Sequence, residues 1–301
     1  MKRRIVVVLM IGVMAIVTSC QFRANREIWN VAEVDGEWIE YVTNHDTSIK
    51  SWRLFENQNQ NAALPDTFTR IEFTKDGKLV VGLVFEQENP LYFQGMPAFF
   101  DAETNTLKSC PDAPLFWDIS VHSTNEDTVL VIGDTFIGLI LYDIKSCQTL
   151  KVIQEQEQLR SLAGISWNAE KELLAYSRKN DEGVSQIISI DLDGDQREVL
   201  GQGMYPSWSP DGEQIAFAAD SKTIIVKCLE DSEKETFLLP ERLTLHQDKF
   251  SWSPDGTRIV FSVENKVSDR KTNFVIYTIN LVTSKVEFLG IEGRSPVWAY
   301  D

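Results

Sequence analysis

Three histidines, His45, His122 and His246, are the imidazoles this chain has to offer. A histidine acting as general base needs a positioned partner. None of the three falls in a spacing such as His-Glu-x-x-His, which would set two metal ligands on one helix face. The run Asp191-Leu192-Asp193-Gly194-Asp195-Gln196 places three carboxylates at alternate positions. Hard oxygens of that kind suit calcium, but the longer EF-hand spelling that ends in a glutamate is absent. The same residues also spell a hairpin turn at Asp193-Gly194. Asp191, Asp193 and Asp195 are therefore weak metal candidates beside a purely structural reading. Asp211 and Asp255 each sit in a Ser-Pro-Asp-Gly tetrapeptide. They either contribute to an acidic ring at one rim or do no more than form a turn. No Gly-x-Ser-x-Gly nucleophile elbow occurs, and no Cys-x-x-Cys. The expectation is a chain with no catalytic set, no metal site and no cofactor.

The tetrapeptides belong to a longer repeat. YPSWSPDGEQIAF runs from Tyr205 to Phe217, and KFSWSPDGTRIVF from Lys249 to Phe261. Aligned on the aromatic before the turn, Trp208 and Trp252 are 44 residues apart. The same register takes in Trp29, Phe73, Val121 and Trp167 upstream and Trp298 downstream, at steps of 41 to 48 residues. Each unit reads as four short strands rich in β-branched and aromatic residues, separated by turn signals. Within the turns, Pro210 and Pro254 preset φ at the second position, and Gly212 and Gly256 close the fourth. A period of 40 to 50 residues with four strands per unit predicts a β-propeller. The expected fold is all-β, with about six four-stranded blades. The strand at Trp298 would complete the blade begun by Glu37–Thr43 and Ile49–Glu56, so that the C-terminal strand closes the ring and removes its open edges. A strand at Ile28–Ala32 competes for that inner position. The polar run Asn57–Asp66 is expected to be a loop between the first and second units.

The units around Trp208 and Trp252 resemble the WD-repeat-like blades of the TolB propeller of bacteria; related blades occur in prolyl-oligopeptidase-type enzymes. The resemblance spans residues 28–301, with its strong motif in about a third of them. It implies a propeller that binds other envelope proteins. The hydrolase domain of the oligopeptidases has no counterpart, and neither has the N-terminal domain that TolB carries before its propeller.

The N-terminus carries a different signal. Lys2, Arg3 and Arg4 precede an uncharged apolar run from Ile5 to Val17, too short to cross a bilayer, which takes about 20 residues. This is the layout of a secretory signal. The residues that follow, Val17-Thr18-Ser19-Cys20, resemble the lipobox of bacterial lipoproteins. That resemblance implies a signal peptide at 1–19, lipid on Cys20, and a short tether at 20–27. Several acyl chains give stable anchoring to a membrane. Gln21 is not the aspartate that retains such proteins at an inner membrane, which favours the outer membrane if the host has two. The chain's formal charge is −16, a balance that disfavours nucleic acid as a partner. Cys110, Cys147 and Cys228 permit a disulfide outside the cytoplasm; Cys110 and Cys147 both follow Lys-Ser near strand ends. The reading that results is a lipid-anchored, extracytoplasmic, non-catalytic binding module with an envelope protein as partner. A small-ligand, saccharide-binding or hydrolytic propeller with its site in the central channel is the alternative.

Overall fold

The computed structural model describes residues 38–42, 48–53, 59–63, 68–73, 79–84, 94–101, 106–125, 128–155, 163–168, 171–195, 197–230, 233–246, 250–268 and 271–299. Trp29, Cys20 and the segment Ile28–Ala32 lie outside them. Among the described residues every regular element is a strand, and no helix is long and apolar enough to cross a membrane.

The strands fall into sheets in chain order. β1 (Trp38–Val42), β2 (Ser48–Arg53) and β3 (Asn59–Ala63) come first. A second group is β4 (Phe68–Phe73), β5 (Leu79–Val84), β6 (Met96–Asp101) and β7 (Thr106–Ser109). The third is β8 (Phe116–Asn125), β9 (Thr128–Thr135), β10 (Gly138–Asp143) and β11 (Gln148–Glu155). The fourth is β12 (Ala163–Asn168), β13 (Leu173–Lys179), β14 (Ser185–Asp191) and β15 (Arg197–Gln202). The fifth is β16 (Met204–Trp208), β17 (Gln214–Ala218), β18 (Thr223–Cys228) and β19 (Lys234–Leu238). The last is β20 (Leu243–Leu245), β21 (Ser251–Trp252), β22 (Arg258–Ser268), β23 (Lys271–Asn280) and β24 (Lys285–Glu292). The final strand, β25 (Arg294–Ala299), pairs antiparallel with β1, setting Ile39 opposite Trp298. The architecture is a β-propeller of antiparallel sheets; the innermost strand of each is its first in chain order, except in the first sheet, where β25 takes that place. The first strands lie side by side in the order β4, β8, β12, β16, β21, β25, and β25 lies beside β4.

This order follows from the repeat. Phe73, Val121, Trp167, Trp208, Trp252 and Trp298 all fall on the innermost strand of a sheet. Alternate residues of a strand point to opposite faces, and here both faces are covered by neighbouring sheets. The core is therefore divided among the gaps between sheets. One gap holds Val81, Leu83 and Phe99 of the second sheet against Ile119, Val131 and Tyr142 of the third. Another holds Ala175 and Ile187 of the fourth against Trp208 and Phe217 of the fifth. Trp252 and Phe261 pack against Ile224 and Phe237, and Trp298 against Val260 and Ile276. The Arg258 guanidinium lies 4.6 Å from the centre of the Trp298 ring, tying β22 to β25.

One expectation is corrected. Asn57–Asp66 is not all loop: Asn59–Ala63 forms β3, paired with β2 from Ser48↔Ala63 to Trp52↔Asn59. Its asparagines and glutamine have poor strand propensity, so the pairing partner decides, as it commonly does for strands.

Three of the gaps are also tied at the outer edge. In each case the outer strand of one sheet meets the turn between the third and fourth strands of the next. Between the second and third sheets the tie is a disulfide, Cys110–Cys147, with Cα atoms 5.5 Å apart and a sequence separation of 37. Between the third and fourth it is the Lys151–Asp193 ion pair. Ser284 donates to Glu235 at 3.4 Å between the fifth and sixth.

Two outcomes follow. Replacing both Cys110 and Cys147 by alanine should lower unfolding free energy by about 2–4 kcal/mol, because the loop it closes is long; urea titration with and without reductant checks this. Trp208→Ala, which empties a gap between sheets, should cost about 3–5 kcal/mol. A thermal midpoint within about a degree of wild type would contradict that placement.

Candidate interaction face

The sheets have two ends, and the pairing register assigns the turns to them. β8 and β9 run from Phe116↔Thr135 at one end to Asn125↔Thr128 at the other. Turns between first and second strands, including both Ser-Pro-Asp-Gly turns, therefore lie at the end opposite the β9–β10 turn.

At the first end the acidic residues singled out by sequence act on their own backbones. Ser209 Oγ donates to Asp211 Oδ1 at 2.6 Å and accepts the Gln214 N–H at 2.9 Å. Asp211 Oδ1 also accepts the Glu213 N–H. The second turn repeats this with Ser253, Asp255, Arg258 and Thr257, and Thr257 Oγ1 adds a donor to Asp255 Oδ2 at 2.7 Å. Gly212 and Gly256 both have φ of +66°, the left-handed region that glycine tolerates. Burial pushes the Asp255 carboxyl up, but the Ser253 hydroxyl, the Thr257 N–H and hydroxyl and the nearby Arg258 charge outweigh it. The group is held below the usual carboxylate range. The Asp191 run is likewise a turn: Asp191 Oδ1 accepts the N–H groups of Asp193 and Asp195 at 3.0 and 3.2 Å. Asp193 pairs with Lys151, and Gly194 has φ of +78°. The structure brings these acids to one end of the propeller, each engaged in turn formation. Of the histidines, His122 lies within β8. His246 packs on the Phe274 ring and sets Nδ1 3.5 Å from Glu264; His45 lies outside the described residues.

The feature that sequence reading missed is on the innermost strands. Each is an edge strand, and its outward N–H groups have no ladder partner. The residue just before the anchor supplies one to the next sheet. Glu72 accepts the Val121 N–H at 2.7 Å, and Ser120 accepts the Trp167 N–H at 3.1 Å. Ser166 accepts the Trp208 N–H, and Ser251 the Trp298 N–H, both at 3.0 Å. Ser207 makes its tie differently. Its hydroxyl donates to the Phe250 carbonyl at 2.8 Å, and its own carbonyl accepts the Trp252 indole N–H at 3.1 Å. The signal was a serine immediately before four of the anchors, present in the repeats but not read as a tie.

Three residues before the anchor the strands bulge. Gly164, Tyr205 and Ser295 have φ of +76°, +57° and +50°. The bulge turns the following N–H out of the ladder. For Ile165 that N–H goes to the buried Asp118 carboxylate at 3.1 Å, whose other oxygen takes the Ile119 N–H. After Tyr205 and Ser295 comes proline, Pro206 or Pro296, which has no N–H to satisfy.

At the opposite end the third sheet presents an apolar knob. Phe136 and Ile137 form the tip of the β9–β10 hairpin and are 62% and 45% exposed; Leu115, just before β8, is 41% exposed. The knob is held rigidly. The buried Thr135 hydroxyl accepts the Ile137 N–H at 3.1 Å and donates to the Gly138 carbonyl at 2.9 Å. Trp117 packs edge-on against Phe136, with ring centres 5.7 Å apart. An exposed aromatic fixed in this way loses little side-chain entropy on contact with a partner.

The solved structures that share this geometry include TolB from Acinetobacter baumannii, at 14% identity over 89% of this chain and 67% of that one, with a TM-score of 0.66. The fold is a TolB-like β-propeller. A propeller from the nidogen/laminin complex matches over 87% of this chain and 98% of its own, at 11% identity and a TM-score of 0.62. An oligogalacturonate lyase in complex with manganese matches at 15% identity over 83% of this chain and 71% of that one, with a TM-score of 0.51. No family model matches the sequence, and no curated protein does. At these identities the TolB-like likeness is one of fold.

Ser166→Ala should strand the Trp208 N–H and lower stability by about 1–3 kcal/mol, read by chemical denaturation. Asp255 has a folded pKa below its unfolded value of about 3.9. Its stabilisation is present above that value and is lost as pH falls through the lower folded pKa. The gap in melting temperature between wild type and Asp255→Asn should therefore be full at neutral pH and close on acidification below about pH 3.9. A gap independent of pH would contradict the turn assignment.

Proposed function

We propose that this chain is a lipid-anchored, extracytoplasmic propeller of six blades, closed by β25, that acts as a non-catalytic protein-binding module of the cell envelope. The observation that carries the binding role is the preorganised knob of Leu115, Phe136 and Ile137 on one end of the propeller. Exposed apolar groups gathered in one place mark interaction surfaces, and aromatic anchors in fixed geometry supply much of the energy of such contacts. The acids at the opposite end support the non-catalytic reading, because Asp191, Asp211 and Asp255 are engaged with their own turns. The likeness to a chain of the nidogen/laminin complex supports this reading, since that chain was solved as part of a protein complex. The sheet order, with β25 beside β1 and β4, supports the six-bladed ring. The Cys110–Cys147 bridge supports a compartment outside the reducing cytoplasm. Lipid on Cys20 rests on the lipobox resemblance.

A photo-crosslinking residue at position 136 should capture a protein in the envelope that the same residue at position 211, on the other end, does not. In the chain that carries the crosslinker at position 136, Ile137→Ser should abolish that capture while leaving the melting temperature within about 1 °C, as expected for an exposed side chain. Equal capture from both ends would overturn the assignment of the face. Cys20→Ser should move the chain from the membrane fraction to the soluble extract. The second reading, a saccharide site in the channel, is favoured by the likeness to the manganese-bound lyase. Calorimetric titration with manganese and with oligogalacturonate tests it.

A further inference from the structure

The segment that leads into the knob begins at the disulfide. β7 ends at Ser109, and Cys110 follows at the head of the connection to β8. Cys110 is bonded to Cys147, the last residue of the β10–β11 turn. The Cys110 N–H donates to the Pro97 carbonyl at 3.0 Å, and the Cys110 carbonyl accepts the Ala113 N–H at 3.1 Å. The connection then delivers Leu115 to the knob and ends at Phe116, which exchanges both backbone bonds with Gly95. Cys110, Phe116, Tyr142 and Ile144 share one core cluster, with Ala113 packed against it. The Phe116 and Tyr142 rings meet edge-on, 5.6 Å apart. The other two outer ties end within an outer strand, at Lys151 of β11 and Glu235 of β19. The disulfide ends where the connection to the knob starts. Its two cysteines differ in access. Cys110 is 1% exposed, whereas Cys147 stands exposed in its turn with φ of +56°, a conformation that residues other than glycine seldom take.

We propose that the Cys110–Cys147 bridge is a redox switch of the interaction face: closed, it fixes Leu115 in the knob with Phe136 and Ile137, and reduced, it releases the connection and weakens partner binding. The inference rests on the protein-binding reading of the knob given above. An envelope dithiol is the class of reductant that the switch requires. Its thiolate attacks the sulfur of Cys147, the more accessible of the two cysteines. The S–S bond breaks, a mixed disulfide forms on Cys147, and Cys110 leaves as a thiolate that takes up a proton. The second thiol of the reductant then attacks the reductant sulfur of the mixed disulfide and expels Cys147 as a thiol. Two electrons pass from the dithiol to the bridge, which ends as two thiols. The apolar cores between sheets keep the propeller folded, while the residues from Cys110 to Leu115 gain freedom. A contact surface that must first be ordered binds less tightly, because binding then carries the ordering cost.

The whole mature chain with the crosslinking residue at position 136 tests it, compared before and after treatment with dithiothreitol. Capture of the envelope protein should fall at least tenfold on reduction and return on reoxidation, with the far-ultraviolet circular dichroism unchanged. The double variant Cys110→Ala, Cys147→Ala should match the reduced chain and show no further response to dithiothreitol, which places the effect at this bridge. Leu115→Ser should weaken capture by the oxidised chain. Ser166→Ala loosens a junction elsewhere, between the fourth and fifth sheets, and should capture as the wild type does. Equal capture by oxidised and reduced chains would overturn the switch and leave the protein-binding reading in place. So would a double variant that still responds to dithiothreitol, full capture by Leu115→Ser, or loss of capture in Ser166→Ala. A reduced chain that loses its strand signal would make the bridge a staple of the whole fold and overturn the switch. Capture in neither state would overturn the protein-binding reading, and the switch with it.

Discussion

The constraint on which the rest of this structure depends is the inner edge. The innermost strand of each sheet has no ladder partner on one side, and those edges converge. Unsatisfied N–H groups gathered in a protein interior would each cost a desolvation penalty of about 1–3 kcal/mol. The chain meets the problem in three ways. A side chain from the preceding sheet accepts the anchor N–H, as Ser166 does for Trp208. A buried carboxylate takes the N–H groups that a bulge releases, as Asp118 does for Ile119 and Ile165. Proline removes the donor, as at Pro206 and Pro296. These devices also hold each sheet against the next, so satisfaction of the edge and closure of the gaps are one event.

The outer ends of the gaps use a more varied chemistry. A disulfide, an ion pair and a hydroxyl-carboxylate contact occupy corresponding places at three of the gaps. Position matters here more than the type of bond. Each contact joins an outer strand to the turn of the following sheet, where the twist of the strands brings them together. The apolar core between the sheets supplies most of the stabilisation, while the inner and outer contacts fix how the sheets sit.

This division leaves the two ends of the propeller free for other work. At the end with the Ser-Pro-Asp-Gly turns, the acids are bound up in the local geometry that makes the hairpins. At the other end, the β9–β10 turn is fastened by Thr135 from within the sheet, so Phe136 and Ile137 are fixed while facing solvent. A rigid frame with an apolar knob is suited to recognising a surface, and changes to the knob need not disturb the frame.

The repeat was legible in the sequence because its physical cause is local. A tryptophan followed by a Pro-Asp-Gly turn needs only its neighbours to form a strand and a hairpin, so the all-β propeller and the places of Trp167, Trp208, Trp252 and Trp298 could be read along the chain. The turn role of Asp191, Asp211 and Asp255 was open to reading for the same reason. What only the tertiary structure decided involves residues that the chain does not place side by side. Ser166 capping Trp208, Asp118 reaching Ile165, and Cys110 meeting Cys147 rather than another cysteine depend on which sheet stands beside which. The strand at Asn59–Ala63 exists because β2 offers it an edge, against its own propensity. The knob at Phe136 was invisible as well, since an aromatic at a hairpin tip looks like one in a core until burial separates them. Local turn chemistry and side-chain alternation are written in consecutive residues, whereas edge satisfaction and exposure are properties of neighbours that only the folded chain brings together.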